Sequence, residues 1–300
     1  MSVIKNFIFM KKLLVVLAGL FFVLFSCRKS PKTPSACHFT NIGVDNFTII
    51  NNDDSPQRPF NVFCKKVNVF GIYIYATENV SNIDLLHTAN VMAQYLDNDE
   101  DSIVDNPMVL DEMLGNKSVM VLFEKEKSSK QRAFLNSESE LEDSYVFQDL
   151  YGSEIYPGWN YNTPFDATLE EVLHLVTHSG FSKVYPTVFG EKKGSEISNA
   201  MDKARGGQFE DVPSDYPSNT WYTYDDKTCE YNCQVTEYFY WSLTSLLGAQ
   251  DFPGRSNDIG HEWKANTPSL LESMDSDVYN LLTDTTYHLP TVLPDGTYRR

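Results

Sequence analysis

Basic residues are scarce in this chain of 300 residues. It has 24 Lys and Arg against 41 Asp and Glu, which gives a formal net charge of −17 at pH 7. A surface this acidic repels the phosphate backbone of nucleic acids and anionic lipid headgroups. We therefore expect no nucleic-acid partner, and we expect high solubility, bound cations or both. The 42% hydrophobic and 13% aromatic content excludes a disordered chain.

Long apolar runs are also rare, and the one at residues 13–25 directly follows Lys11 and Lys12. It is too short for a membrane span of about 20 residues and has no second charged flank. The pattern predicts a cleaved signal peptide over residues 1–26. Cleavage removes three lysines and no acid, so the formal charge of the mature chain becomes −20.

The end of this run, Leu24-Phe25-Ser26-Cys27, resembles the lipobox of bacterial lipoproteins. The resemblance implies that Cys27 carries lipid and begins the mature chain, followed by a polar tether over residues 27–36. The protein would then be exported and anchored to the bilayer of the cell envelope, facing the periplasm or lying at the cell surface. Phe25 is bulkier than the residue usual at its position, which keeps plain secretion as the alternative.

Cysteine is sparse, with five in the whole chain. Without Cys27 an even set of four remains, and in an oxidising compartment disulfides are the expected state. Of the three pairings we favour Cys37 with Cys64 and Cys229 with Cys233. Zinc binding by Cys229 and Cys233 is the alternative, although their spacing is loose and no second cysteine pair follows.

Internal repeats and low-complexity tracts are absent from the sequence. Periodicity and capping residues predict strands within residues 60–77, 118–124 and 145–155, with a bulge at Gly71 in the first. They predict helices over 82–96, 128–137, 168–179, 195–205, 234–247 and 268–282. We expect residues 37–300 to form a single α+β domain, a small mixed or antiparallel sheet packed with helices and a loop-rich C-terminal half. A subdomain division near residue 180 stays open.

An acidic segment follows the first predicted helix, with Asp at alternate positions 97, 99 and 101. It resembles the start of an EF-hand calcium loop, in which carboxylates and one backbone carbonyl surround the ion. The resemblance implies a structural Ca²⁺ site formed by Asp97, Asp99, Asp101, the carbonyl of Ile103, and Asp105. Ser102 replaces the usual glycine and Met108 the closing glutamate. A solvated acidic turn is the alternative.

Two histidines lie four residues apart in the helix predicted over residues 168–179, after the acidic pair Glu170-Glu171. At about 3.6 residues per turn, Glu171, His174 and His178 project from one face. Imidazoles at this spacing can share one zinc ion. The alternative is that both histidines are ordinary polar positions on an amphipathic helix. The Glu-x-x-His pattern of di-iron helices is disfavoured because the chain has no second copy.

His174-Leu175-Val176-Thr177-His178 resembles the His-Glu-x-x-His helix of the zincin metallopeptidases, with Leu175 in place of the catalytic glutamate. The resemblance implies a zincin-like fold and a zinc ion bound by His174, His178 and a glutamate on a later helix, for which we assign Glu237. Glu237 on a helix edge facing solvent is the alternative. By our own inference Glu171 acts as the base in place of the missing glutamate.

These observations leave two functions open. The first is a lipid-anchored, zinc-dependent peptidase-like hydrolase. The second is a non-catalytic, calcium-stabilised lipoprotein of the cell envelope, with a structural role or one in binding a peptide or other envelope ligand.

Overall fold

The computed structural model describes residues 42–44, 46–52, 59–137, 144–160 and 163–299. The predicted signal peptide, Cys27, the tether and Cys37 lie outside these ranges, so what the sequence indicates about them stays a prediction. No helix within the described ranges is long and apolar enough to cross a membrane.

The protein is built around a mixed sheet whose strands lie in chain order. Strands β2 to β6 form its five-stranded body, and β1 pairs with the edge strand β2. Neighbours are antiparallel from β1 to β4 and parallel from β4 to β6. The strands are β1 (Ile42–Val44), β2 (Phe47–Asn51), β3 (Lys65–Val69), β4 (Ile72–Ala76), β5 (Val119–Phe123) and β6 (Phe147–Tyr151). The predicted α+β class is confirmed.

The region predicted as one bulged strand is a hairpin, so that prediction was wrong in detail. β3 and β4 pair antiparallel from Lys65 opposite Ala76 to Val69 opposite Ile72. The two turn residues, Phe70 and Gly71, both have positive φ, at 48° and 98°. Positive φ at both central positions matches the right-handed twist of the strands, and glycine adopts it without steric cost.

The helices agree with the sequence patterns more closely than the strands do. They are α1 (Asn82–Leu96), α2 (Pro107–Gly115), α3 (Ser129–Leu135), α4 (Thr168–Val176), α5 (Ser182–Val184), α6 (Glu196–Ala204), α7 (Tyr231–Leu246), α8 (Arg255–Ile259), α9 (Pro268–Met274) and α10 (Ser276–Leu282). Ser81 caps α1 by accepting the amide of Asp84 at 3.0 Å, as its position predicts. The sequence patterns did not predict α2, α5 and α8, and the predicted last helix divides at Asp275.

Helices cover both faces of the sheet. On one face, α1 and α4 pack against apolar side chains of the strands, including Val67, Ile74, Met120 and Leu150. On the other face, Phe134 of α3 joins Phe63, Phe123 and neighbouring rings in a second, aromatic cluster. β5 is buried at all five positions, as expected for a strand covered on both sides. α7 packs on the side of α4 away from the sheet's centre, so α4 lies between the sheet and α7.

Candidate metal centre

The packing of α4 against α7 brings three polar side chains together inside the protein. Two of them are the predicted ligands His174 and Glu237, and the third is Glu170. Glu170 and His174 of α4 and Glu237 of α7 each offer one ligand atom, and these atoms lie within 4.8 Å of one another. His174 Nε2 is 3.7 Å from Glu237 Oε2. His174 and Glu237 are buried, and Glu170 is half-buried. The group could therefore hold a metal ion with a small inward shift of its side chains.

The polar atoms of this cluster are only partly hydrogen-bonded. The hydroxyls of Tyr240 and Tyr224 bond to the carboxyls of Glu170 and Glu237, respectively. Neither ring nitrogen of His174, nor Glu237 Oε1, forms a hydrogen bond with any group in the described part of the chain. Leaving a buried polar atom without a partner costs about 1 to 3 kcal/mol. The Tyr240 ring lies edge-on to His174, with centroids 5.6 Å apart, and gives one side of the site an apolar wall.

Burial and mutual repulsion favour the neutral forms of these groups. Burial raises the pKa of Glu237 well above its ordinary range, and the charge of Glu170 adds to the effect. Burial likewise raises the pKa of Glu170 to about 7, with a contribution from Glu262. Burial lowers the pKa of His174 to about 3. A bound cation would reverse the preference of the two glutamates, because it stabilises carboxylates, and it would accept the neutral imidazole as a ligand.

His178 is not part of this cluster, although the sequence pattern placed it on the same face as His174. Its Nδ1 lies 2.8 Å from Glu191 Oε2, and its side chain is 41% exposed. The reason is a π-helical turn over Thr177–Phe181, which joins α4 to α5. Bonds in such a turn span five residues, so a residue four positions along does not return to the same face.

Gly180 lies within this π-helical turn, immediately after the end of the helix predicted over residues 168–179. A Cβ at Gly180 would lie 2.6 Å from Val109 Cγ1 of α2. Its missing side chain therefore allows α2 to approach the turn closely. The serine and threonine hydroxyls of the turn donate to carbonyls one turn back, at Leu173 and Leu175.

Glu171, predicted as the base, lies on the other side of the His174 ring from Glu237. Its Oε2 is 3.9 Å from Nδ1 and accepts a hydrogen bond from Gln148 Nε2 of β6 at 2.5 Å. Carboxylates in this position beside a metal-binding histidine fix the orientation of the ring. The geometry therefore favours a positioning role for Glu171 over proton transfer at the metal.

Glu262 is a further carboxyl beside the cluster that the sequence patterns did not identify. It accepts a hydrogen bond from Trp241 Nε1 at 3.0 Å, and its charge raises the pKa of both Glu170 and Glu237. Burial raises the pKa of Glu262 itself to about 7. It lies in a loop far from α4 in sequence, so periodicity carried no signal for it.

The predicted calcium loop brings together three of its acidic residues. Asp97, Asp99 and Asp105 each offer an oxygen within 4.8 Å of the others. Asp101 is not in this group, and its Oδ1 accepts the amide of Ile103, whose side chain is 68% exposed.

Two residues of this loop, Glu100 and Ser102, have left-handed backbone, with φ of 59° and 74°. Ser102 stands where the EF-hand has glycine, the residue that adopts this conformation without steric cost. Burial raises the pKa of Asp105, and the charges of Asp99 and Asp97 add to the effect.

The C-terminal segment holds the acidic loop in place. The Tyr298 hydroxyl donates to Asp97 Oδ2, and the amides of Thr291 and Val292 both donate to Asn98 Oδ1 at 2.8 Å. A cavity of about 490 Å³ lies between the loop and this segment. Its walls include Asp99 and Asp105 on one side and aliphatic residues such as Leu282 and Leu289 on the other.

Cys229 and Cys233 form a disulfide at the start of α7, as predicted. The disulfide excludes these two cysteines as a zinc site. The predicted pairing of Cys64 with Cys37 stays a prediction, because Cys37 lies outside the described residues.

Comparisons with known proteins identify no relative. No family model, no curated protein and no solved structure matches the chain.

Proposed function

We propose that the protein is an exported, metal-dependent hydrolase that holds a divalent metal ion between Glu170, His174 and Glu237. The observation that carries the proposal is the buried contact between His174 Nε2 and Glu237 Oε2, which are 3.7 Å apart. In the described part of the chain, both ring nitrogens of His174 and Glu237 Oε1 have no hydrogen-bond partner. Donor atoms around a tetrahedral zinc ion are about 3.4 Å apart. The side chains therefore need to move only slightly to bind the ion.

The donor set of one imidazole and two carboxylates suits zinc, and manganese or iron as competitors. Three protein ligands leave a coordination position open, which is typical of catalytic rather than structural zinc sites. A zinc ion there would supply Lewis acidity toward a carbonyl oxygen and toward water.

The reaction we assign is hydrolysis of an amide bond. The oxygen of water bonds to the carbonyl carbon, the carbon–nitrogen bond breaks, and the amine leaves with a proton taken from the water. Glu262 is the proton acceptor we favour, since Trp241 holds its carboxyl beside Glu170 and Glu237 and its pKa is raised to about 7. Glu171 orients the His174 ring, because its carboxyl faces Nδ1 of the imidazole.

A zincin-like arrangement remains part of this proposal rather than a separate one. Support comes from a histidine helix lying against a mixed sheet and from a glutamate supplied by a later helix. Leu175 in place of the usual base and the position of His178 distinguish this site from the zincin pattern.

Metal analysis and hydrolysis of a fluorogenic peptide mixture test the proposal together. Protein purified without chelator should contain about one equivalent of transition metal, and E237Q should lose both metal and hydrolysis. E262Q should retain the metal and lose hydrolysis, which separates the proton acceptor from the ligands. Wild-type protein without bound metal after zinc dialysis would overturn the proposal.

The second function we propose as a candidate is a non-catalytic, calcium-stabilised envelope protein that binds a peptide or other ligand. The three clustered carboxylates of the acidic loop and the cavity beside them favour it. A thermal midpoint that rises with calcium, together with no hydrolysis by zinc-loaded protein, would select this function over the first.

Either function would operate at the cell envelope under our proposal that Cys27 carries a lipid anchor. In cells of the source organism, the wild-type chain should fractionate with membranes, while C27S should appear in the soluble exported fraction. Wild-type protein in the soluble fraction would instead favour plain secretion.

A further inference from the structure

Arg255 forms no close ion pair with any described carboxylate, in a protein rich in them. Its Nε donates to Gln250 Oε1 at 2.7 Å. Arg205 and Arg299 form ion pairs with acidic side chains, whereas no Asp or Glu in the described ranges lies within 4.0 Å of the Arg255 guanidinium. Its charge acts on the Glu262 carboxyl from beyond this distance. Its two terminal nitrogens make no hydrogen bond with any described residue, and the residue is half-buried.

Aromatic rings fix the position of this guanidinium. It lies over the Phe165 ring at 4.4 Å from the centroid, and 5.7 and 5.8 Å from the centroids of Phe252 and Trp241. Rings stacked on a guanidinium stabilise it and restrict its rotation while leaving the edge with the terminal nitrogens available.

The arginine lies beside the proposed metal centre. Phe165 lies just before α4, five residues ahead of Glu170. Trp241 follows Glu237 by one turn of α7. The ring centroids of Trp241 and Tyr240 are 4.8 Å apart, and those of Tyr240 and His174 are 5.6 Å apart. Glu170 is half-buried while His174 and Glu237 are buried, so the cluster is most open at its Glu170 end, five residues after Phe165, the ring on which Arg255 stacks.

We propose that Arg255 binds a carboxylate group of the substrate and that the rings of Phe165, Trp241 and Phe252 receive an adjoining apolar group. The planar guanidinium presents two parallel donors that match the two oxygens of a carboxylate. The substrate class is then an acylated amino acid, or the last residue of a peptide with its carboxylate free. The role of this carboxylate as part of a substrate rests on the proposed hydrolase function, whereas its binding can be measured without activity.

Hippurate, an aromatic acyl amino acid with a free carboxylate, is the probe, and its uncharged amide is the matched ligand control. Titration calorimetry on zinc-treated protein should show that hippurate binds and that the amide binds at least about tenfold more weakly. R255Q should weaken hippurate binding by about the same factor and leave the amide unaffected, and R255K should restore part of the loss. R299Q, an exposed arginine variant, should bind hippurate as wild type does.

Excess inorganic phosphate distinguishes carboxylate recognition from general anion binding. It should compete with hippurate only weakly, and full competition at equal concentration would overturn the carboxylate assignment. Wild-type protein that does not bind hippurate at millimolar concentration, or R255Q that binds it normally, would also overturn the inference.

Zinc content is measured in the same samples. Arg255-dependent binding by protein that holds no zinc would support this inference while overturning the metal-dependent function. A thermal midpoint for R255Q equal to that of wild type confirms that the variant is folded.

Discussion

His174 and His178 are four residues apart and have opposite environments. His174 is 1% exposed and faces Glu237, whereas His178 is 41% exposed and pairs with Glu191. The sequence shows only the spacing, which is compatible with both side chains facing one metal. The sequence also carries a signal for Glu170, which lies four residues before His174 and therefore projects from the same face of the helix.

The first prediction separates the two histidines. H174A should lose bound zinc, because it removes the ligand closest to Glu237. H178A should keep about one equivalent and change the free energy of unfolding by less than about 1 kcal/mol, since it removes only a partly exposed pair. Zinc content by atomic emission and urea unfolding measure both effects. Equal loss of zinc in the two variants would contradict the cluster described above.

The second prediction concerns Asp166, which lies just before α4. Its Oδ2 is 2.6 Å from His87 Nε2, and its Oδ1 accepts the amides of Tyr156 and Thr168 at 3.2 Å. Burial alone would raise the pKa of Asp166, but the His87 hydrogen bond and charge outweigh burial, so its pKa lies below 3.8. Its stabilising contribution is therefore complete above pH 3.8 and is lost as pH falls through the lower folded value.

D166N should accordingly lower the free energy of unfolding by about 1 to 3 kcal/mol at neutral pH. The difference between wild type and variant should shrink as the pH falls below about 4. Urea unfolding at a series of pH values measures it. D111N, at an exposed position of α2, should show no such pH-dependent difference.

At the scale of elements, helices with a cap and a clear period were predictable, and turns were not. Ser81 and Ser195 cap α1 and α6 by accepting the backbone amides three residues on. The helices predicted over 82–96 and 195–205 begin within one residue of the observed ones. The β3–β4 hairpin was read as one strand because both arms have the same composition and a glycine suits a bulge as well as a turn. The π-helical turn depends on the close approach of α2 at Gly180, a tertiary contact absent from local sequence.

The third prediction concerns the disulfide at the start of α7. Cys229 and Cys233 are four residues apart, so the bond closes a short loop and removes little entropy from the unfolded chain. The chain-entropy relation gives about 2 kcal/mol for a loop of this size. The double variant C229S/C233S should lose about that much in urea unfolding. Either single serine variant should lose a similar amount, and a much larger loss would show that the bond also maintains native packing.

At the scale of the whole molecule, charge was the most informative property of the sequence. An excess of carboxylates predicted cation binding, and the fold gathers acidic residues at two separate places, the α4–α7 cluster and the acidic loop. Composition could not reveal which carboxylates would meet, because Glu170 and Glu237 are joined only by the packing of two helices.

The fourth prediction tests the loop through the stability of the entire protein. Calcium at saturating concentration should raise the thermal midpoint by about 3 to 8 °C over protein in EGTA, because a ligand bound only by the folded state stabilises it. D99N should remove most of this increase, and D258N, at an exposed position of α8, should retain it. Differential scanning calorimetry measures the shift. An equal calcium response in D99N would place the ion elsewhere.

The bonds between the acidic loop and residues 291–299 join positions about 200 residues apart in the chain. These bonds can form only once residues 291–298 have been made, after nearly every other element of the chain. A chain truncated before Thr291 would leave Asp97, Asp99 and Asp105 without the segment that holds the loop. Closure of this corner therefore depends on residues that are synthesised about 200 positions after the loop itself.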